Sequence, residues 1–318
     1  MIYFYLIIFI ISCLVLVFSG GKAIKVLIRI AQFWELKEFV VAFILMAFAT
    51  SIPELLVGIT SAFHGTPQLS FGDIMGSNIV NLTLAIAISI FIAGSLSAKT
   101  SATKRDSLYT AIIVSLPILL IIDGALTRVD GAVLLLALVF YMQGIFKQKQ
   151  MFTKIFNSAL EKGWDQIKTF FKDLGFFLLS LLFLVISAEG VVWAASGLAE
   201  IMGLSLVVIG VLIVALGTNL PEIVFGVRSV TMGHSEMVLG NLMGSVVANS
   251  TLVLGTVILI SPFQIENFAS YLTPIIFIIG IALFFAIFVQ TKEKISLMEG
   301  VFLLLIYILF VMWQLILS

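Results

Sequence analysis

Charge is what this chain has least of. Of its 318 residues only 11% are Asp, Glu, Lys or Arg, while 61% are hydrophobic and the mean hydropathy is +1.23. A water-soluble domain of this length needs far more charge to cover its surface, so most of the chain is read as dissolved in a lipid bilayer. Cysteine is nearly absent too: Cys13 stands alone inside the first apolar run. That excludes a disulfide framework and a thiolate cluster for zinc or another soft metal. No basic segment precedes the first run, and Ser19, Gly20 and Gly21 lead straight into further membrane sequence. It therefore reads as a span and not as a secretory leader. Short alternating strands are missing as well, which argues against an outer-membrane barrel.

What is present is a series of uncharged runs long enough to cross a hydrocarbon core. They lie near 1–21, 39–63, 74–98, 107–122, 131–146, 174–199, 201–227, 237–265, 267–291 and 300–318. The expectation is an all-α integral membrane protein of ten transmembrane helices. The basic residues sort by the parity of the connections between these runs. Lys22, Lys25, Arg29 and Lys37 fall in the first, Lys99, Lys104 and Arg105 in the third, six lysines in the fifth, Arg228 in the seventh, and Lys292 and Lys294 in the ninth. Only Arg128 falls in an even connection. The positive-inside rule then puts the odd connections in the cytoplasm and both termini outside, in the cell (plasma or inner) membrane. The fifth connection, 147–173, spaces Phe152, Ile155, Phe156, Leu160, Trp164, Ile167 and Phe171 as an interfacial helix would. It is expected to be an amphipathic linker resting on the inner leaflet, between an N-terminal repeat 1–146 and a C-terminal repeat 174–318.

The repeat is visible at an offset of 168 residues. Segment 47–85 aligns without a gap on 215–253, and the two are identical at Ala47/Ala215, Thr50/Thr218, Pro53/Pro221, Glu54/Glu222, Gly76/Gly244, Ser77/Ser245 and Asn81/Asn249, among others. Most identities are polar residues, Gly or Pro, which lipid disfavours or which set backbone geometry, so chance similarity between apolar spans does not explain them. Five spans per half is an odd number. The second half therefore enters the membrane with opposite polarity, as two inverted five-helix repeats whose motifs meet at midplane.

Glu54 lies near the middle of the second run and Glu222 inside the seventh; Glu189 is the only other acid read as lying well within a span. A carboxylate in the membrane needs a proton, a base or a cation, and no Lys or Arg lies deep in any run. The proline before each glutamate removes a backbone donor, which frees carbonyls near Ala49 and Thr50 and near Gly217 and Thr218. Thr50 and Thr218 precede their glutamates by four residues, and Ser77 and Ser245 precede Asn81 and Asn249 by four, so each pair shares a helix face. Carboxylates, hydroxyls, amides and carbonyls form an oxygen-only set that suits Na⁺ or Ca²⁺ better than Mg²⁺ or soft metals. Gly72, Gly76, Gly240 and Gly244 are read as surfaces for close helix approach. Glu189, whose repeat position is Gly21, is read as a packing or vestibule residue, and His64 and His234, which are not equivalent in the repeat, as surface residues.

The motifs ATSIPE with GSNIVN, and GTNLPE with GSVVAN, resemble the paired α-repeats of the sodium/calcium exchanger family within the cation/calcium antiporters. The resemblance covers the whole ten-span plan. It implies that Glu54 and Glu222 bridge a central Ca²⁺ site, that carbonyls of Ala47, Thr50, Ala215 and Thr218 with the side chains of Ser51, Ser77 and Ser245 form Na⁺ positions, and that Asn81 and Asn249 sit between them. Two positions depart from the family pattern: many members carry Asp where this chain has Asn249, and Ser where it has Asn219.

The function expected is secondary active exchange of Ca²⁺ for Na⁺ by alternating access, with H⁺ replacing Na⁺ as the alternative. A cation channel, which needs a continuous pore, and an intramembrane protease, which needs an aspartyl dyad, are the less favoured readings. No enzymatic activity, resident cofactor or nucleic acid is expected. The partners are membrane lipid and the transported cations, and the chain is expected to act as a monomer.

Overall fold

The computed structural model describes residues 1–33, 50–99, 101–146, 164–265, 267–291 and 293–317. Helices account for nearly all of it. Helix α1 (Ile2–Phe33) is continuously apolar over its first two thirds, and α2 (Ile52–Phe63) is short. Helix α3 runs from Pro67–Val80 through a π-turn at Asn81–Ala85 into Ile86–Ala93. Helices α4 (Ser101–Leu120) and α5 (Arg128–Phe146) complete the first part. After α6 (Trp164–Met202) come α7 (Leu206–Thr218) and α8 (Leu220–Thr231), which meet at a 40° bend. Helix α7 holds a π-turn at Gly210–Val214, and α9 runs from Ser235–Ala248 through a third, Asn249–Val253, into Leu254–Ile260, followed by α10 (Ala269–Thr291) and α11 (Leu297–Leu317).

Among the described residues seven helices are long and apolar enough to cross a membrane, eight when the bent pair α7–α8 is taken as one span. The protein is a multi-pass membrane protein. Its outer helices present large apolar side chains outward, for example Ile7 and Phe18 on α1, Ile186 on α6, and Leu305 and Met312 on α11. Helices α3 and α9 form the centre: 83% and 78% of their apolar stretches are buried, against 22% for α11. Helices α1 and α6 pack along one another as a pair and enclose their own cluster of Leu16, Leu184, Val191 and Leu198.

Two of the glycines read as packing surface explain how α3 lies on α7. A Cβ at Gly72 would stand 2.3 Å from the Val207 carbonyl oxygen, and one at Gly76 2.4 Å from that of Val211. Only hydrogen at those positions lets the two backbones touch. The connections are tied across the molecule by short antiparallel pairs. Ser95–Ser97 pairs with Lys294–Ser296, and Ala125–Leu126 with Phe263–Gln264.

Several expected boundaries shift. Helix α6 begins at Trp164, so residues 164–173 of the expected linker belong to it, while 147–163 lie outside the described residues. Lys168 and Lys172 end an uncharged run without ending a helix, because lysine is a good helix former and extends its ammonium toward water. Helix α3 likewise starts at Pro67 and not at 74. Of the second expected run, residues 39–49 lie outside the described residues.

Candidate cation site

The site is built from two helix breaks. Ser51 (φ −83°, ψ 3°) and Asn219 (φ −82°, ψ 1°) adopt the same non-helical conformation, and a new helix starts directly after each. Pro53 and Pro221 fall in the first turn of α2 and α8, where a missing N–H leaves no hydrogen bond unmade. Glu54 and Glu222 follow in the same first turns, at the positive end of the helix dipole. Both glutamates are completely buried, and none of their carboxylate oxygens has a hydrogen bond of ordinary geometry. Among the described residues no lysine or arginine is buried.

Hydroxyls cross between the two halves of the sequence. Thr50 Oγ1 and Ser245 Oγ are 3.0 Å apart; Ser77 Oγ and Thr218 Oγ1 are 3.4 Å apart. Thr218 stands beside Glu54, and Thr50 beside Glu222. Asn219 Nδ2 donates to the Ala215 carbonyl at 2.7 Å and to Ser77 Oγ at 2.5 Å. Ser51 is buried at the head of α2. Asn81 and Asn249 each open a π-turn, fully buried, and neither amide has a hydrogen-bond partner. A π-turn widens the helix locally, and such turns are common at functional sites. Of the residues singled out from sequence, Ala47 lies outside the described residues; Thr50, Glu54, Ser77, Ala215, Thr218, Glu222 and Ser245 are brought together.

One acid was missed. Asp73 lies inside α3, completely buried, with Oδ1 accepting from Thr218 Oγ1 at 3.0 Å and from Ser77 Oγ at 3.3 Å. The third run begins one residue after it in the sequence reading, because 64–73, with His64, Gly65, Pro67, Gln68 and Asp73, has the composition of a connection. The repeat offered a signal, because Asp73 falls between two identical positions, Gly72 and Met75, opposite Asn241. Asn219, read only as a departure from the family pattern, turns out to bond directly to two site residues.

Outside this centre, Glu189 is half exposed and pairs with half-exposed His64, Nε2 to Oε1 at 3.2 Å. A cleft of about 370 Å³ lies over the start of α3, bounded by Gln68, Leu206, Val207, Gln264 and Tyr271. Among the described residues no three His, Cys, Asp or Glu side chains come close enough together to hold one metal ion as a group. A cation here would take a mixed shell of carboxylate, hydroxyl, amide and carbonyl oxygens, the set that hard ions prefer. Orphaned buried oxygens are costly, about 1–3 kcal/mol each and more when charged. Their gathering in one place is what makes this the candidate site.

Comparison with known proteins agrees with this chemistry. The chain is 26% identical over 330 residues to the sodium/calcium exchanger MaX1 of Methanosarcina acetivorans, covering 93% of this chain and 94% of that protein. It is 24% identical over 266 residues to the inner membrane protein YrbG of Escherichia coli, covering 82% and 81%. A solved structure of the sodium-calcium exchanger NCX_Mj, soaked with Na⁺ and Sr²⁺, superposes with a TM-score of 0.67 at 25% identity, covering 97% of this chain and 98% of that one. Exchangers are transporters and not enzymes. The family model described as sodium/calcium exchanger protein matches residues 4–147 and 172–316, nearly the whole of both halves, and this chain belongs to that family.

Proposed function

We propose that the protein exchanges Ca²⁺ for Na⁺ across the cell membrane by alternating access around a midplane site centred on Glu54 and Glu222. The observation that carries the reading is the pair itself: two fully buried carboxylates at matching helix breaks, ringed by oxygen ligands, with no buried base among the described residues. Membership in an exchanger family and the likeness to MaX1 and NCX_Mj support the choice of ions. Thr50, Ser51, Ser77, Asn81, Thr218, Ser245 and Asn249, with the carbonyls of Ala47 and Ala215, complete the shell in this reading.

The ten-span plan of two inverted halves, 1–146 and 174–318 with 147–173 between them, belongs to the same proposal. The crossing contacts support it, because each joins parts of the chain that the plan puts on one side. Arg29 in the first connection pairs with Asp173 in the fifth, Lys104 in the third with the carbonyl of Gln290 at the end of the ninth run, and Arg128 in the fourth with the carbonyl of Leu259 toward the end of the eighth run. Lysine and arginine content then places the odd set in the cytoplasm and both termini outside. The protein works as a monomer in lipid.

Coupling follows from charge. An empty site would carry unpaired carboxylates through an occluded, low-dielectric state, which is far costlier than carrying them neutralised by Ca²⁺ or Na⁺. Return without cargo is suppressed, so one bundle slides or rocks past the other only when loaded. The test is uptake of radiolabelled Ca²⁺ into Na⁺-loaded vesicles containing the purified protein. Uptake that requires an outward Na⁺ gradient is expected. Uptake that follows a pH gradient and ignores Na⁺ would transfer the coupling to protons, and flux that no counter-ion influences would mean a channel.

A further inference from the structure

We propose that Asp73 is a third charged ligand of the cation site, holding a monovalent cation beside the ion bound at Glu54 and Glu222. The inference rests on the reading of that pair as a cation site and adds to it a residue and a charge. Four observations carry it. Asp73 is completely buried, and its Oδ2 has no hydrogen-bond partner. Its Oδ1 is held by the hydroxyls of Thr218 and Ser77, which fixes the carboxylate against the two hydroxyls already placed in the site. It lies within electrostatic reach of both Glu54 and Glu222. The Oδ1 of Asn219, whose amide nitrogen is engaged by Ser77 and Ala215, is a second buried and unpartnered oxygen on the same network.

A structural role alone does not account for the charge. At the repeat-equivalent position the second half of the sequence carries Asn241, nearly as buried and also without a partner. An amide of the same shape thus suffices for packing at this register. Three carboxylates carry three negative charges, and a divalent ion offsets two. The three do not converge on one point, so the third charge is neutralised apart from the other two, in this proposal by a separate cation and not by a proton. Oδ2 of Asp73 and Oδ1 of Asn219 are oxygen ligands of the kind that Na⁺ takes. The cleft over the start of α3 includes Gln68, five residues and about 7.5 Å along the helix from Asp73.

Purified protein is compared with D73N, which keeps an oxygen to accept from Thr218 and Ser77 but loses the charge, and with D73E, which keeps the charge. The readout is stabilisation against heat by NaCl or CaCl₂, with ionic strength held constant by an organic chloride. D73N is expected to melt as the wild type does without cations and to need roughly tenfold more Na⁺ for the same stabilisation, the scale of one lost charge-assisted contact. D73E is expected to stay close to the wild type in its Na⁺ requirement. Equal Na⁺ dependence in D73N and wild type would overturn the proposal. A second measurement needs no variant: equilibrium binding of radiolabelled Na⁺ or Rb⁺ to wild-type protein saturated with Ca²⁺. Retention of one monovalent ion per chain is expected, and retention of neither would overturn the proposal even if D73N does not fold. Absence of Na⁺-driven Ca²⁺ uptake would count against the exchange reading alone, since both binding readouts are independent of transport.

Discussion

Thr50 Oγ1 and Ser245 Oγ meet at 3.0 Å, across 195 residues of chain. Their counterparts 168 residues away, Thr218 and Ser77, meet at 3.4 Å with the partners' halves exchanged. Two reciprocal contacts of this kind arise when equivalent segments face one another about an axis that interchanges them. The site is therefore read as shared between the two copies, with the charge of Asp73, opposite Asn241, and the amide of Asn219, opposite Ser51, as features that break the symmetry.

Replacing Thr50 and Ser245 by cysteine tests that juxtaposition. Side chains whose terminal atoms lie 3.0 Å apart have Cβ atoms close to disulfide range. In a Cys13→Ser background, oxidation of T50C/S245C is expected to yield an intramolecular disulfide, identified by mass spectrometry of the linked peptides. S77C/T218C is expected to form one more slowly. No linked peptide from either pair would contradict the arrangement.

Glu54→Gln and Glu222→Gln are each expected to lower Na⁺-dependent Ca²⁺ uptake by roughly 100-fold or more, because each removes half the charge that binds a divalent ion. Neither variant is expected to be less heat-stable than the wild type without cations, since a buried amide is easier to accommodate than a buried, unpaired carboxylate. Normal uptake in both variants would remove the glutamates from the site.

Gly72→Ala and Gly76→Ala are expected to destabilise the fold by about 1–3 kcal/mol or more, because the added methyl meets a backbone carbonyl and not a side chain that can turn away. Gly280→Ala, with nothing within 4 Å of the new Cβ, is expected to change stability by less than about 0.5 kcal/mol. Thermal melting of the three variants in one detergent compares them directly.

Arg29 binds Asp173 with Nε and a terminal nitrogen at 2.8 to 3.1 Å, joining α1 to the start of α6. Arg29 is half exposed while Asp173 is largely buried, so solvent screens part of the attraction and a coupling of about 1 kcal/mol is expected. A double-mutant cycle with R29Q and D173N measures it. A coupling near zero would reduce the pair to an incidental surface contact.

Much of the candidate site was legible in the sequence because a membrane makes polar residues costly, so those retained stand out. The motif pair also marked both helix breaks, since proline directly before a glutamate fixes where the new helix begins. Asp73 was not legible in the same way. It closes the polar stretch 64–73, which a hydropathy reading takes for a connection, and only the burial of α3 from Pro67 onward shows that the helix begins before it. The start of α6 was hidden for a similar reason, because Lys168 and Lys172 mark the end of an apolar run and not the end of a helix.

By itself the sequence determined the solvent, the helical class, the duplication and the two glutamates, since each follows from composition or from a pattern along the chain. Only the tertiary structure decided which oxygens face one another. That Thr218 bonds Asp73, that Asn219 engages Ser77, and that Gly72 and Gly76 seat α3 on α7 depend on contacts more than a hundred residues apart. Such contacts are set by how helices pack, and no local pattern encodes them. The identity of Glu54 and Glu222 is thus written in the chain, and the company they keep is settled by the fold.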